Sequence, residues 1–433
     1  MADLSTVCGG VKSPNPFWLA SGPPSNTGDQ VKRAFEAGWG GAVWKTLGVP
    51  IQNVTSRYGS IDFGGKRMAG LNNIELISDR ALDVNLREIE AVKKDFPDHA
   101  VITSLMVETK KDWEEIIKAC EEAGSDGHEL NFGCPHGMCE RGMGSAVGQE
   151  PKLLEEITRW AKSFAKKPVL VKLTPNISDI VEPAQAAKKG GADGVSLINT
   201  IKSLMGVDLD KMVPLPVVGT RSSNGGYCGP AVKPIALHMV AQIARDPVTA
   251  GFPISGIGGI GNWRDAAEFI ALGSTSVQVC TAVMHHGFRI VEDMIEGLET
   301  FMDEKGYKTI AQLAGRAVPS FVEWGDLDLS YKIIANIDSK KCIGCELCYI
   351  ACWDGAHQCI AKASGPDEHG IKIPRILEDQ CTGCNLCSLV CPVDGCITMR
   401  RVDDGKNPVT WNDYVRSGGK IKLPPAPVAH ANG

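Results

Sequence analysis

No stretch of this 433-residue chain approaches the roughly 18 uncharged apolar residues of a membrane span. The first ten residues, MADLSTVCGG, lack a basic region followed by a long apolar stretch, so a secretory leader is not expected and the cytoplasm is. An excess of one charge is also missing. A net charge of −6 gives no ground for binding nucleic acid or an anionic membrane. Disulfides are rare in a reducing compartment, so the 16 cysteines need another explanation. The length suits two or three domains, and 43% apolar with 22% charged residues is ordinary for a globular protein.

Six cysteines are scattered over the first 340 residues, and ten follow Lys341. Within the second group the spacing is regular: Cys342-x2-Cys345-x2-Cys348-x3-Cys352 and Cys381-x2-Cys384-x2-Cys387-x3-Cys391-Pro392. This is the two-cluster ferredoxin pattern, in which the fourth cysteine of each run serves the other cluster. Cys342, Cys345, Cys348 and Cys391 are thus expected to hold one 4Fe–4S cluster, and Cys381, Cys384, Cys387 and Cys352 the second. Zinc competes for paired CxxC steps, but its sites take four ligands and rarely a third regular step. Trp353 stands where proline is expected after Cys352, which questions the local turn. Cys359 and Cys396 are left over and read as packing residues.

The first 300 residues alternate short apolar strands with amphipathic helices. Strands are expected at Phe17–Ala20, Ala42–Thr46, Val101–Met106, Gly127–Asn131, Val169–Leu173, Gly194–Asn199, Ile254–Ile257 and Ser276–Cys280. Helix-like stretches lie between them, and endings such as AGWGG and GGADG fit glycine caps. The reading is an α/β chain: a (β/α)8 TIM barrel over residues 1–312, a linker over 313–336, a small α+β two-cluster ferredoxin-like domain over 337–402 and a loose tail over 403–433. An open doubly wound sheet is the competing arrangement. Two long connections, Leu47–Ala100 and Thr200–Lys233, read as lids or binding loops.

Barrel active sites lie at the C-terminal strand ends. Here those ends are polar or glycine-rich: Ser21, Lys45-Thr46, Met106, Asn131, Lys172, Asn199-Thr200, Gly258-Gly259 and Cys280-Thr281. Lys45 and Lys172 close apolar runs, where a lysine needs an anionic partner or a ligand. Gly256–Gly261 matches G-x-G-x-x-G, yet no acid for a ribose follows about 20 residues on. It therefore reads as a mononucleotide phosphate cradle assisted by Thr281. A cluster carries one electron at a time and most organic reductions need two. A flavin bridges them, so FMN is expected, with Lys172 beside the ring.

The loop Asn131-Phe132-Gly133-Cys134-Pro135-His136-Gly137 then gains a meaning beyond a glycine-rich connector with an incidental thiol. Cys134 is placed to act as a general acid. Asn73, Asn131, Asn199 and Thr200 both donate and accept, as a ring with alternating N–H and C=O requires. His136 either tunes Cys134 or shapes the loop, and shaping is the preferred reading.

The stretches NIELIS, CPHGMCERGMG, VKLTPN, INTIKSLMG, GIGGI and QVCTAV, with the double cysteine array, resemble the dihydropyrimidine dehydrogenases, whose barrel belongs to the dihydroorotate dehydrogenase family. The likeness covers nearly the whole chain to about residue 400. It implies FMN contacts from Ser21, Lys45, Thr46, Lys172, Gly229, Ile257, Gly258, Gly259, Cys280 and Thr281. It implies pyrimidine contacts from Asn73, Asn131, Phe132, Gly133, Asn199 and Thr200, with Cys134 as acid and base. The implied reaction is NAD(P)H-linked interconversion of uracil or thymine with their 5,6-dihydro forms. Electrons would come from a partner subunit carrying FAD, iron–sulfur clusters and the nicotinamide site, in a heterotetramer. One departure stands out: Gly133 occupies the position where the family pattern has serine. A dihydroorotate-type dehydrogenase and a non-catalytic electron-transfer subunit are the alternatives. The first would need an extra cation near the substrate.

Overall fold

The computed structural model describes residues 1–54, 57–63, 66–402 and 407–422. It divides into two compact units, Met1–Phe321 and Val322–Gly433.

Among the described residues of the first unit, eight parallel strands close into a barrel. They are β1 (Phe17–Leu19), β2 (Gly41–Leu47), β3 (Ala100–Leu105), β4 (Gly127–Asn131), β5 (Val169–Lys172), β6 (Gly194–Leu197), β7 (Ile254–Ile257) and β8 (Ser274–Val279). Neighbours pair in chain order, and β8 returns to β1 through Val277–Phe17, Gln278–Trp18 and Val279–Leu19. The open sheet is excluded by that closure. Every residue of β2, β3 and β4 is buried, because barrel strands face a packed interior on one side and helices on the other. Such strands read as unbroken apolar runs, which is why they are visible in the sequence. Helices such as Gly28–Ala37, Lys110–Glu122 and Pro151–Phe164 cover the outside. Gly38 ends the first of them with φ +114°, a conformation that glycine adopts without a Cβ penalty.

The two long connections are not separate flaps. Tyr58–Phe63 and Lys66–Asn73 from the first join Ile201–Ser203 and Gly225–Cys228 from the second in a four-stranded antiparallel sheet. The register sets Asn73 opposite Gly226, so two loops far apart in the chain form one roof carrying Asn73.

In the second unit Lys332–Ile337 pairs antiparallel with Ile397–Val402, and Ile360–Ala361 with Arg375–Ile376. The strand beginning at Lys332 lies in the stretch read as linker. Its KIIANI sequence finds a partner 60 residues and more away, which local reading does not reveal. Trp353 sits inside a helix, Leu347–Gly355, and its indole N–H donates to the Ile360 carbonyl. Within the expected tail, Trp411–Arg416 form a helix capped by Thr410. Residues 403–406 and 423–433 lie outside the described residues. Among the described residues no helix is long and apolar enough to cross a membrane.

Candidate active site

The C-terminal ends of the barrel strands and the roof line one cavity. Ser21, Lys45 and Thr46 border it from the ends of β1 and β2. Asn131 and Cys134 come from β4 and its loop, and Lys172 from β5. Asn199 and Thr200 follow β6, Ile257–Gly259 end β7, and Cys280 and Thr281 follow β8. The insertions add Asn73 and Gly229.

Phe132 and Gly133 do not border the cavity. Side chains alternate along a strand and its extension, so Asn131 facing inward turns Phe132 outward. Its ring meets Trp113 edge-on, 6.1 Å between centroids, in the layer between strands and helices. The Phe132 ring therefore points away from the cavity.

The polar groups form a continuous row. Ser21 and Thr46 share a hydroxyl contact of 3.1 Å, and Asn131 Nδ2 donates to Thr46 Oγ1 at 2.9 Å. Asn199 Nδ2 donates to Asn131 Oδ1 at 3.0 Å, and the Thr200 N–H to Asn199 Oδ1 at 2.8 Å. Each amide thus fixes the orientation of the next.

Both strand-end lysines are buried and each has its own carboxylate. Lys45 pairs with Glu75, which also accepts from the Tyr58 hydroxyl and lies 3.5 Å from Arg57. Burial, followed by that bond to Glu75, raises the Tyr58 pKa. Lys172 Nζ is 3.2 Å from Oε1 of the fully buried Glu129, close enough for an ion pair but poorly aligned for a hydrogen bond. The other oxygen of Glu129 accepts from Ser196 at 2.7 Å and Gln278 at 2.9 Å. Reading the sequence missed Glu75 and Glu129. The signal was present for Glu129, since a glutamate in the middle of a buried strand must have a partner.

Cys134 is buried, and its thiol lies 3.5 Å from the His136 carbonyl. Burial pushes its pKa up to about 11, so the thiol is protonated at neutral pH. His136 turns away from that sulfur. Its Nε2–H donates to the Glu75 carbonyl at 3.2 Å, Nδ1 is buried with no hydrogen-bond partner among the described residues, and burial lowers its pKa. The imidazole ties the loop to the segment of the NIELIS motif.

The turn after β7 suits a phosphate. Gly258 and Gly259 have φ of +131° and +74°, and a Cβ on Gly259 would stand 2.9 Å from the Gly229 carbonyl. Two glycine turns therefore meet edge to edge with main chain exposed to the cavity. Thr281 closes that end.

In the second unit no group of three or more His, Cys, Asp or Glu among the described residues is gathered tightly enough for a single metal ion. The cysteines instead border two small cavities. Cys342, Cys345, Cys348 and Cys391 line the first, with Cys396. Cys352, Cys381, Cys384 and Cys387 line the second, with Cys359. Thiols spread around a cavity fit a polynuclear cluster better than one zinc ion.

Residues 3–302 match the family described as dihydroorotate dehydrogenase, and residues 335–399 match a 4Fe–4S dicluster domain. The chain is 43% identical over 413 residues to the NAD-dependent dihydropyrimidine dehydrogenase subunit PreA of Escherichia coli (strain K12), covering 94% of this chain and 99% of that one. It is 45% identical over 337 residues to the chloroplastic dihydropyrimidine dehydrogenase (NADP(+)) of Arabidopsis thaliana, covering 75% and 79%. It is 36% identical over 309 residues to the catalytic subunit of dihydroorotate dehydrogenase B (NAD(+)) of Pyrococcus abyssi, covering 71% and 97%.

Proposed function

The chain belongs to the dihydroorotate dehydrogenase family, as a catalytic subunit of the dihydropyrimidine dehydrogenase type, and we propose that it reversibly reduces the C5=C6 bond of uracil or thymine. The observation that carries this reading is the row Ser21–Thr46–Asn131–Asn199–Thr200 in one cavity with a buried, protonated cysteine.

The flavin is FMN, held by Ser21, Lys45, Thr46, Lys172, Gly229, Ile257, Gly258, Gly259, Cys280 and Thr281. When bound, it supplies hydride to one carbon of the ring double bond and exchanges single electrons with iron–sulfur clusters. Asn73, Asn131, Asn199 and Thr200 hold the pyrimidine, because amides and hydroxyls match a ring that presents both N–H and C=O. The main chain at Phe132 and Gly133 shapes the same subsite. Cys134 delivers the proton to the neighbouring carbon in reduction and removes it in the reverse direction. Lys172 sets positive charge beside the ring, and Glu129 keeps that lysine in place.

Cys342, Cys345, Cys348 and Cys391 hold one 4Fe–4S cluster. Cys381, Cys384, Cys387 and Cys352 hold the other. A partner subunit with FAD and the NAD(P)H site supplies electrons through these clusters, in a heterotetramer in the cytoplasm. The name of the E. coli relative, an NAD-dependent subunit, supports this division of labour. Against the dihydroorotate alternative, both lysines that border the cavity are assigned to FMN, and among the described residues no further lysine borders it to meet a carboxylated ring.

Replacing Cys134 with alanine tests the proposal. Uracil reduction should collapse while FMN and iron remain bound. Retained turnover would sink the reading in favour of a scaffold for electron transfer.

A further inference from the structure

The second unit contains two buried cysteines beyond the eight assigned to clusters, Cys359 and Cys396, and an internal repeat relates them. Asp338 and Leu377 each stand four residues before the first cysteine of a run. Their carbonyls accept the N–H of Cys342 at 3.0 Å and of Cys381 at 2.9 Å. The same two residues donate their own N–H groups to the carbonyls of Cys396 at 2.8 Å and Cys359 at 2.9 Å. Cys359 follows Gln358 with φ +58°, and Cys396 follows Gly395 with φ +62°. Each then leads into a strand that starts at Ile360 or Ile397. A left-handed glutamine is strained, so its surroundings hold that turn in place.

The repeat brings one extra thiol to each cysteine-lined cavity. The Cys359 N–H lies 3.1 Å from the Cys352 sulfur, and the Cys396 thiol contacts those of Cys342 and Cys391. Cys359 points its sulfur at the main-chain carbonyls of Gln380, 2.8 Å, and His357, 3.0 Å. Cys396 points at that of Asp338, 3.8 Å.

We propose that Cys359 and Cys396 are spare cluster ligands, one per cavity, that take the fourth corner when an adjacent ligand is lost. The inference rests on the ligand assignment given above. In the exchange the incoming thiol releases its proton to water and its sulfur forms the S–Fe bond at the open corner. No electron is gained or lost. A weak bond from thiol to carbonyl is what the swap must break, and thiols bond only weakly. The fourth corner is the vulnerable one, since it comes from the opposite run while the other three share one short loop.

The experiment compares the anaerobically purified full chain with its Cys352→Ala, Cys359→Ala and doubly substituted forms, by iron content and by EPR of the reduced and oxidised protein. Both single variants should keep the iron of two clusters, with Cys352→Ala changing the EPR line shape of one. The double variant should lose half the iron. Loss of half the iron in Cys352→Ala alone overturns the proposal, as does a three-iron signal in that oxidised variant. The pair Cys391→Ala and Cys396→Ala repeats the test on the other cavity, so a misfolded Cys352→Ala protein does not decide it. Wild-type protein with iron for fewer than two clusters would overturn the ligand assignment itself, and the two failures are distinguishable.

Discussion

The Cβ that Gly133 lacks would stand 2.4 Å from the Cβ of Asn199 and 2.6 Å from its Nδ2. Asn199 fills the space a side chain would need, and from there it donates to Asn131. A serine at this position has room only if Asn199 withdraws. Forcing atoms into a packed site costs about 1–3 kcal/mol. Gly133→Ser is therefore expected to raise KM for uracil about tenfold with a smaller change in kcat. Steady-state kinetics at saturating reductant checks this. An unchanged KM would mean that the Asn199 side chain is free to move.

Cys134 sets the pH behaviour of the two directions differently. With a thiol pKa of about 11, the acid form needed for reduction dominates below that value. Reduction of uracil should then be insensitive to this group from about pH 7 to about pH 10. Oxidation of dihydrouracil needs the thiolate and should rise about tenfold per pH unit over the same range, until another group limits it. A falling rate of oxidation with rising pH would remove Cys134 from the role of base.

The buried pair Lys172–Glu129 yields a stability test. Removing one member leaves an uncompensated buried charge, at a cost of about 3–5 kcal/mol. Glu129→Ala should lower the denaturation midpoint strongly, and Lys172→Met combined with Glu129→Gln should be much milder. Equal destabilisation by the single and double variants would show that the carboxylate's bonds to Ser196 and Gln278 matter more than the ion pair.

The roof offers a way to separate substrate from cofactor. A Cβ on Gly226 would stand 2.0 Å from Thr200 Oγ1. Gly226→Ala should displace Thr200 and weaken pyrimidine binding about tenfold or more, while the flavin spectrum stays unchanged. Loss of FMN in this variant would place the roof on the cofactor's side of the cavity.

Much of this was legible in the sequence, for physical reasons. Barrel strands buried on both faces announce themselves as apolar runs, and the polar residues ending them mark the active face. Cluster ligands are legible because three thiolates on one loop require fixed spacing. The outward turn of the Phe132 ring follows from strand alternation, which sets it opposite to Asn131. Glu75 was quoted within NIELIS without its partner, since a contact with Lys45 across 30 residues has no local signature. The pairing of the two insertions was invisible for the same reason, and so was the symmetry that equates Cys359 with Cys396.

The roof joins two insertions through the antiparallel pairing of Leu71–Asn73 with Gly226–Cys228, a main-chain ladder. Such a ladder is indifferent to most side chains hung from it. Its outer face is therefore a place where substitutions accumulate at little cost, while the register that presents Asn73 stays fixed. Among relatives, this sheet should drift quickly in composition and hardly at all in length.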